Sequence, residues 1–464
     1  MKKYYPLVII GAGPAGLAAA TTAAEHGVEA VLFDQQASPG GQIYRGVESS
    51  PRSRADQLGS AYRHGETLVR ALRESGAQYV PDTQVWSLNR QRQVGLLQNG
   101  SAYTASAGQV VIACGAMERP VPFPGWTLPG VMNAGAGQIL FKAHGVVPDD
   151  DVVLAGSGPL LLLLAWQYLH AGVGIKALLD LTPGKNYLQA LPHLPRALLT
   201  GHYLAKGARY HWDLQRAGIP VLHRVQDLRA RGEHALQSVD FVHNGKRQSL
   251  DSSLLLVHFG VVPRTDLAAI AGCDLVWDSK QLCWRPQLDS WGRSSVDGVL
   301  IAGDGGTIGG ARMAEHEGRL AALQALHALG KLDAAERNRL ASADRRWVRR
   351  EFNVRPFLDA LSRVSDSLLR VADDDTIVCR CEEVTAGQIR AAIGEGHADS
   401  NQVKFLTRCG MGPCQGRQCA DAVSHIVAMA GGKPVAQAGH YRQRPPVSPL
   451  TLGQLGSLFP GESE

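Results

Sequence analysis

A chain of 464 residues that is 45% hydrophobic and 19% charged, with 52 glycines, has room for about three domains and the composition of a compact α/β protein, which excludes a disordered one. Its net charge of +5 is small for the length and points to no nucleic-acid partner. Neither the apolar run after Met1-Lys2-Lys3 nor Val152–Trp166 is long and uninterrupted, so no transmembrane segment is expected and the protein reads as cytosolic.

The β-branched run Tyr5 to Ile10 leads into Gly11-Ala12-Gly13-Pro14-Ala15-Gly16, and Leu17 to Ala24 reads as an Ala-rich helix. In such a strand–turn–helix the first glycine allows the sharp turn and the second lets backbone approach a pyrophosphate. The third lets the helix pack on its strand, and the helix N-terminus faces the phosphates. Val28 to Phe33 reads as a second buried strand ending in Asp34-Gln35, at the distance where an acid bonds a ribose hydroxyl. A dinucleotide site is therefore expected here.

Next come the loop Ser38-Pro39-Gly40-Gly41-Gln42-Ile43-Tyr44-Arg45, a helical stretch from Leu58 to Glu74, and a strand over Thr83–Leu88 centred on Val85 and Trp86. Gln109 to Ala116 is a buried strand ending in small residues around Gly115, followed by a Pro-rich crossover over Arg119–Pro129. Asp151 to Leu161 repeats strand, glycine turn and helix, and Asp180 closes the following strand. Leu161, however, occupies the third glycine's place. NAD(P) or another adenine nucleotide and a purely structural, vestigial domain are equally open there. Asp297 to Gly306 reads as a strand ending in Gly303-Asp304. From Ala321 to Ala372 the pattern turns to helices with polar faces, a linker whose arginines around Trp347 read as solvated; His316 likewise reads as helix surface.

Eight cysteines are unevenly placed: Cys114, Cys273 and Cys283 are scattered, whereas Cys379, Cys381, Cys409, Cys414 and Cys419 crowd together. In a long cytosolic chain this favours a metal or cluster site over disulfides. Four thiolates also suit structural zinc, but C-x-C is an uncommon zinc pairing, which favours an iron–sulfur centre. No C-x-x-C precedes residue 379, so thiol–disulfide chemistry is not expected.

These motifs, in this order, resemble the two-dinucleotide-domain flavoproteins, an α/β class in which a Rossmann-like FAD domain is split by an inserted nucleotide-binding-like domain. The resemblance implies FAD on Gly11, Gly13, Pro14, Ala15 and Gly16, with Asp34 and Gln35 at the ribose and Val85 at the adenine. Gly41 and Gln42 would line the isoalloxazine side, with Arg45 also binding the cofactor, Gly115 at the small-residue strand end, and Asp304 after Gly303 at the ribityl chain. Residues 1–148 and 265–325 would form the FAD domain, 149–264 the insert, 326–374 a helical linker and 436–464 a Pro-containing tail. Residues 375–435 resemble a small helical 2Fe-2S domain of the bacterioferritin-associated-ferredoxin type, which implies Cys379, Cys381, Cys414 and Cys419 as ligands; the chain departs from that type in offering Cys409 as a fifth candidate, either ligand or bystander.

Over nearly its whole length the chain is similar to the α subunits of hetero-oligomeric FAD-dependent amino-acid dehydrogenases, a family that includes D-hydroxyproline dehydrogenase, opine oxidase and hydrogen cyanide synthase. Gly40 to Arg45, Cys379 to Thr385 and Thr407 to Gly416 carry the similarity, and Gln42-Ile43-Tyr44 leans toward the hydroxyproline and opine branch. The resemblance implies an electron-transferring subunit, with a glycine/sarcosine-oxidase-like β subunit that oxidises a small amino or imino acid. It also admits FMN at the subunit interface, a small ferredoxin-like γ subunit, and contact with the inner membrane face through partners. A stand-alone NAD(P)H-dependent flavin/iron–sulfur reductase, a hydrogen cyanide synthase subunit, and a non-redox scaffold holding zinc are the alternatives.

Overall fold

The computed structural model describes residues 2–394 and 399–459. Its first sheet has seven strands. Gln78–Val80, Ala30–Phe33, Tyr4–Ile10 and Ser101–Ile112 run parallel, followed by the antiparallel Gln93–Gln98 and Thr83–Leu88. Val299–Ile301 adds in parallel to the end of Ser101–Ile112 and returns the chain to this sheet after a long excursion. The near-continuous apolar strands follow from burial on both faces, as parallel sheets require.

The Pro14–Glu25 and Ala311–Ala328 helices pack against each other side by side on this sheet. Small residues make that approach possible. A Cβ on Gly318 would stand 2.1 Å from the Ala15 carbonyl oxygen, so the two helices meet backbone to side.

The second sheet is all parallel, in the order Val221–His223, Ile175–Asp180, Val152–Ser157, Leu255–Phe259, Val131–Asn133. Its edge strand therefore lies ahead of residue 149, where the glycine motif suggested that the insert begins. The reason is physical: a three-residue strand carries no periodicity, and only its pairing with Leu255–Val257 assigns it to the second sheet. A three-stranded antiparallel sheet, Gln226–Arg231, Ser238–His243 and Lys246–Asp251, completes the insert.

The stretch read as a linker is integral to the packing. Ala334–Glu351 packs on Ala311–Ala328 with Ala341 fully buried, and Arg355–Leu361 packs on the insert's Gly184–Ala190 helix. Of the arginines around Trp347, Arg346, Arg349 and Arg350 are exposed as expected, whereas Arg345, together with Arg337, stacks on Trp291 at centroid distances of 3.8 and 4.1 Å. His316 is not open surface either: it stacks on Trp347 and pairs with Asp344.

The C-terminal unit combines the Ile377–Cys379 and Val384–Thr385 ladder with helices Ser400–Thr407 and Ala420–Ala430 around Val378, Val403, Val423 and Val427. The tail then threads back to the first sheet, where the Val447 N–H donates to Trp86 O at 3.0 Å. Among the described residues no helix is long and apolar enough to cross a membrane.

Candidate functional site

A cavity of about 910 Å³ runs between the two sheets and the C-terminal unit, within the roughly 300–1,000 Å³ usual for cofactor sites. Gly11, Gly13, Pro14 and Ala15 form one wall. Gly13 caps the Pro14–Glu25 helix with no acidic residue in the first turn, so its free N–H groups and helix dipole favour an anion. Gly16 does not line the cavity. A Cβ there would lie 1.8 Å from Gly11 O, so its contribution is the close helix–strand approach. Gly41 lies against Gly13, where its Cβ would come within 2.7 Å of the Gly13 Cα.

Asp34, Gln35 and Val85 lie along the cavity, as do Gln42, Arg45 and Gly115. Asp34 accepts the N–H groups of Ala12 at 2.6 Å and Gln36 at 2.8 Å; burial raises its pKa against the pull of those bonds. Gly303 and Asp304 reach the same space from the returning strand. One Asp304 oxygen accepts the N–H groups of Gly309 and Gly310, both at 2.8 Å. This arrangement fits a dinucleotide: an anion cradle without side chains, a buried acid, and a second acid held by backbone amides.

Sequence reasoning missed three groups here. Lys142, 2% exposed, lines the cavity and donates to Gln138 Oε1 at 2.9 Å and Gln42 O at 3.3 Å; burial, aided by Arg45, lowers its pKa to about 7. Its signal was a lysine on the otherwise buried face of Ala134–His144. Glu118 links the crossover to the insert, accepting from His258 Nδ1 at 2.6 Å and from Gly135 N–H at 2.7 Å. Glu317 accepts the Gly303 N–H at 3.1 Å, and burial together with Asp304 raises it to about 8. Nothing in the spacing of these residues marked them. Cys114, read as core, does line the cavity, but burial raises its thiol to about 12 and makes it a poor nucleophile.

The insert's glycine loop opens into this same cavity through Gly158 and Pro159. Leu161 is buried in the core. Asp180 is engaged by His223 Nδ1 at 2.9 Å and Thr182 N–H at 3.0 Å, and Ser362 lies over Gly158. Asn186 ties that covering segment down, donating to Leu361 O at 3.0 Å and Arg363 O at 2.8 Å. Asp180 therefore has side-chain as well as backbone partners, whereas Asp34 accepts its hydrogen bonds from backbone N–H groups.

Cys414 and Arg417 of the C-terminal unit also line the cavity. The sulfurs of Cys379, Cys409 and Cys419 lie within 4.8 Å of one another and are buried. Hydrogen bonds from Cys409 and Cys419 hold the Cys379 thiol far below its ordinary value, and the Gly410 N–H also points at its sulfur, at 3.4 Å. Cys381 is exposed and is raised by burial, with Cys414 bonded to it and Cys379 close enough to add to the shift. Gly412 allows this loop to close, since a Cβ there would come 2.3 Å from that of Cys381. The structure thus draws Cys409, from sequence either ligand or bystander, into contact with Cys379 and Cys419, and places Cys381 beside Cys414.

Residues 5–318 match the pyridine nucleotide-disulphide oxidoreductase family, and residues 374–457 match the sarcosine oxidase A3 domain. An opine oxidase subunit of Rhizobium meliloti (strain 1021) is 42% identical over 97% of this chain and 98% of its own length. Hydrogen cyanide synthase subunit HcnB of Pseudomonas aeruginosa is 32% identical, with 97% and 98% covered. Among solved structures, L-proline dehydrogenase from P. horikoshii has a TM-score of 0.71 at 20% identity, over 97% of this chain and 79% of that one, a likeness of fold.

Proposed function

The chain belongs to the pyridine nucleotide-disulphide oxidoreductase family, and from that premise we propose that it is the FAD- and 2Fe-2S-carrying α subunit of a hetero-oligomeric dehydrogenase that oxidises a secondary amine. The substrate class is an opine, D-hydroxyproline or a proline-like imino acid. The observation that supports this reading is one continuous cavity lined by the Gly11–Ala15 loop, by Asp304 and by Cys414. When bound, FAD would accept an electron pair, and the cluster would carry electrons singly.

Gly11–Ala15 would take the pyrophosphate, Asp34 the adenosine ribose and Asp304 the ribityl chain. Lys142 and Arg45 would offset the negative charge of the bound cofactor. Cys379, Cys381, Cys414 and Cys419 would supply the four thiolates of a 2Fe-2S cluster. Amine chemistry belongs to a partner subunit resembling glycine and sarcosine oxidases, since Glu118 and His258 bond each other and act as a clamp between domains. A cytosolic location, with membrane contact only through partners, is part of the same proposal.

Anaerobic titration of the purified chain, first by itself and then with its partner subunit, tests the reading. Flavin bleached by a proline-type or opine substrate only when the partner is present is the expected result. Bleaching of the lone chain by NADH would overturn it, and zinc in place of iron and sulfide would overturn the cluster assignment.

A further inference from the structure

We propose that residues 445–457 are the closing wall of the dinucleotide cavity at its adenosine end, so that the chain holds FAD between its N-terminal glycine loop and its C-terminal tail. This inference rests on the FAD reading above. Val447 is 2% exposed and seated in the apolar cluster that contains Val8, Leu88 and Leu267, with Val85 packed against it. Its N–H donates to Trp86 O at 3.0 Å. Val447 and Ser448 both line the cavity, as do Thr83 and Val85 of the strand assigned to the adenine.

The segment is pinned a second time farther on. Thr451 and Gln454 form a capping box that starts the short Leu452–Gly456 helix, and Ser457 Oγ then accepts the Ala102 N–H at 2.8 Å. Trp86 and Ala102 belong to strands on either side of Gln93–Gln98, so the tail crosses the antiparallel end of the first sheet as a strap. Adenine has apolar faces and polar edges. Valines with a hydroxyl beside them provide both kinds of contact.

Because the strap continues directly from the cysteine unit, its seating also ties that unit to the flavin domain. Cofactor binding and strap closure are then linked in both directions: whatever opens the strap weakens FAD, and FAD holds the strap shut.

Hydrogen exchange read by mass spectrometry on the full-length protein, FAD-loaded and FAD-stripped, tests the linkage. Amides in 445–457 and that of Ala102 are expected to exchange at least about tenfold more slowly when FAD is bound. As a second measurement, Ser448→Trp fills the adenosine end without touching the Val447 anchor. It is expected to hold less than about a tenth of the wild-type flavin with unchanged acid-labile sulfide. Equal exchange in the two forms, or S448W with wild-type flavin, overturns the strap and leaves the FAD reading standing. Wild-type protein that takes up no FAD overturns both.

Discussion

Trp126 donates its indole N–H to the Ile377 carbonyl at 2.6 Å, so the crossover from the flavin domain grips the strand that ends at Cys379. Trp126→Phe keeps a ring but leaves that carbonyl unpaired, at a cost of about 1 kcal/mol to docking of the cysteine unit. Faster amide exchange over residues 377–385 with unchanged flavin content is expected. Exchange identical to wild type would mean that the bond does not hold the two units together.

Asp304→Ala removes the acceptor shared by the Gly309 and Gly310 N–H groups, and with it the carboxylate proposed above to hold the ribityl chain. Flavin binding should weaken by about 1–3 kcal/mol, a factor of roughly 5 to 150 in dissociation constant. Fluorescence titration of stripped protein with FAD measures it, and an unaltered constant would remove Asp304 from the site.

Among the cysteines, Cys409→Ala separates two arrangements. With Cys379, Cys381, Cys414 and Cys419 as cluster ligands, C409A keeps its iron and acid-labile sulfide, while Cys414→Ala loses most of both. If C409A loses its metal and C414A keeps it, the centre is instead the buried trio of Cys379, Cys409 and Cys419.

Lys142 predicts a pH dependence. Its folded pKa of about 7 lies below the unfolded value of about 10.4, so between these values the unfolded chain binds the extra proton. Stability of the flavin-stripped protein should therefore rise with pH across that window, as removing the lysine's proton on folding costs less and less. Denaturant melts at several pH values spanning the window should show the rise in wild type and a flatter profile in Lys142→Met. Parallel profiles would show that Lys142 titrates normally.

Gly16→Ala places a methyl 1.8 Å from the Gly11 carbonyl oxygen, where only backbone can give way. Destabilisation of about 1–3 kcal/mol or more is expected, together with loss of flavin. A thermal midpoint and flavin content like those of wild type would show that the helix can back away from its strand.

What the sequence made legible was local. Gly11, Gly13, Gly16 and Asp34 lie within one strand–turn–helix–strand unit, so their spacing already describes their geometry, and Gly303-Asp304 announces itself by ending an apolar strand. Lys142, Glu118 and His258 act across distances that spacing does not encode; Glu118 and His258 are 140 positions apart in the chain. Cys409 shows the same limit in the other direction. Its position among four other cysteines gives no hint of which sulfurs it touches, because Arg408, in a left-handed conformation, turns the chain just before it. The prolines of the tail gave no sign of the sheet it crosses.

The contact between Gly318 and Ala15 sets the order in which this protein can mature on a ribosome. The helix that Ala15 belongs to is finished by residue 25, but the partner that covers it is made some 290 residues later, roughly 15–60 s at about 5–20 residues per second. Throughout that interval the alanine face of the first helix is uncovered, while the insert, contiguous in the chain except for its early edge strand, can fold ahead of the domain that surrounds it. The nascent chain is thus most exposed to aggregation and to chaperone capture at its N-terminal motif, and a mutation that slows folding of the insert lengthens that exposure without touching the motif itself.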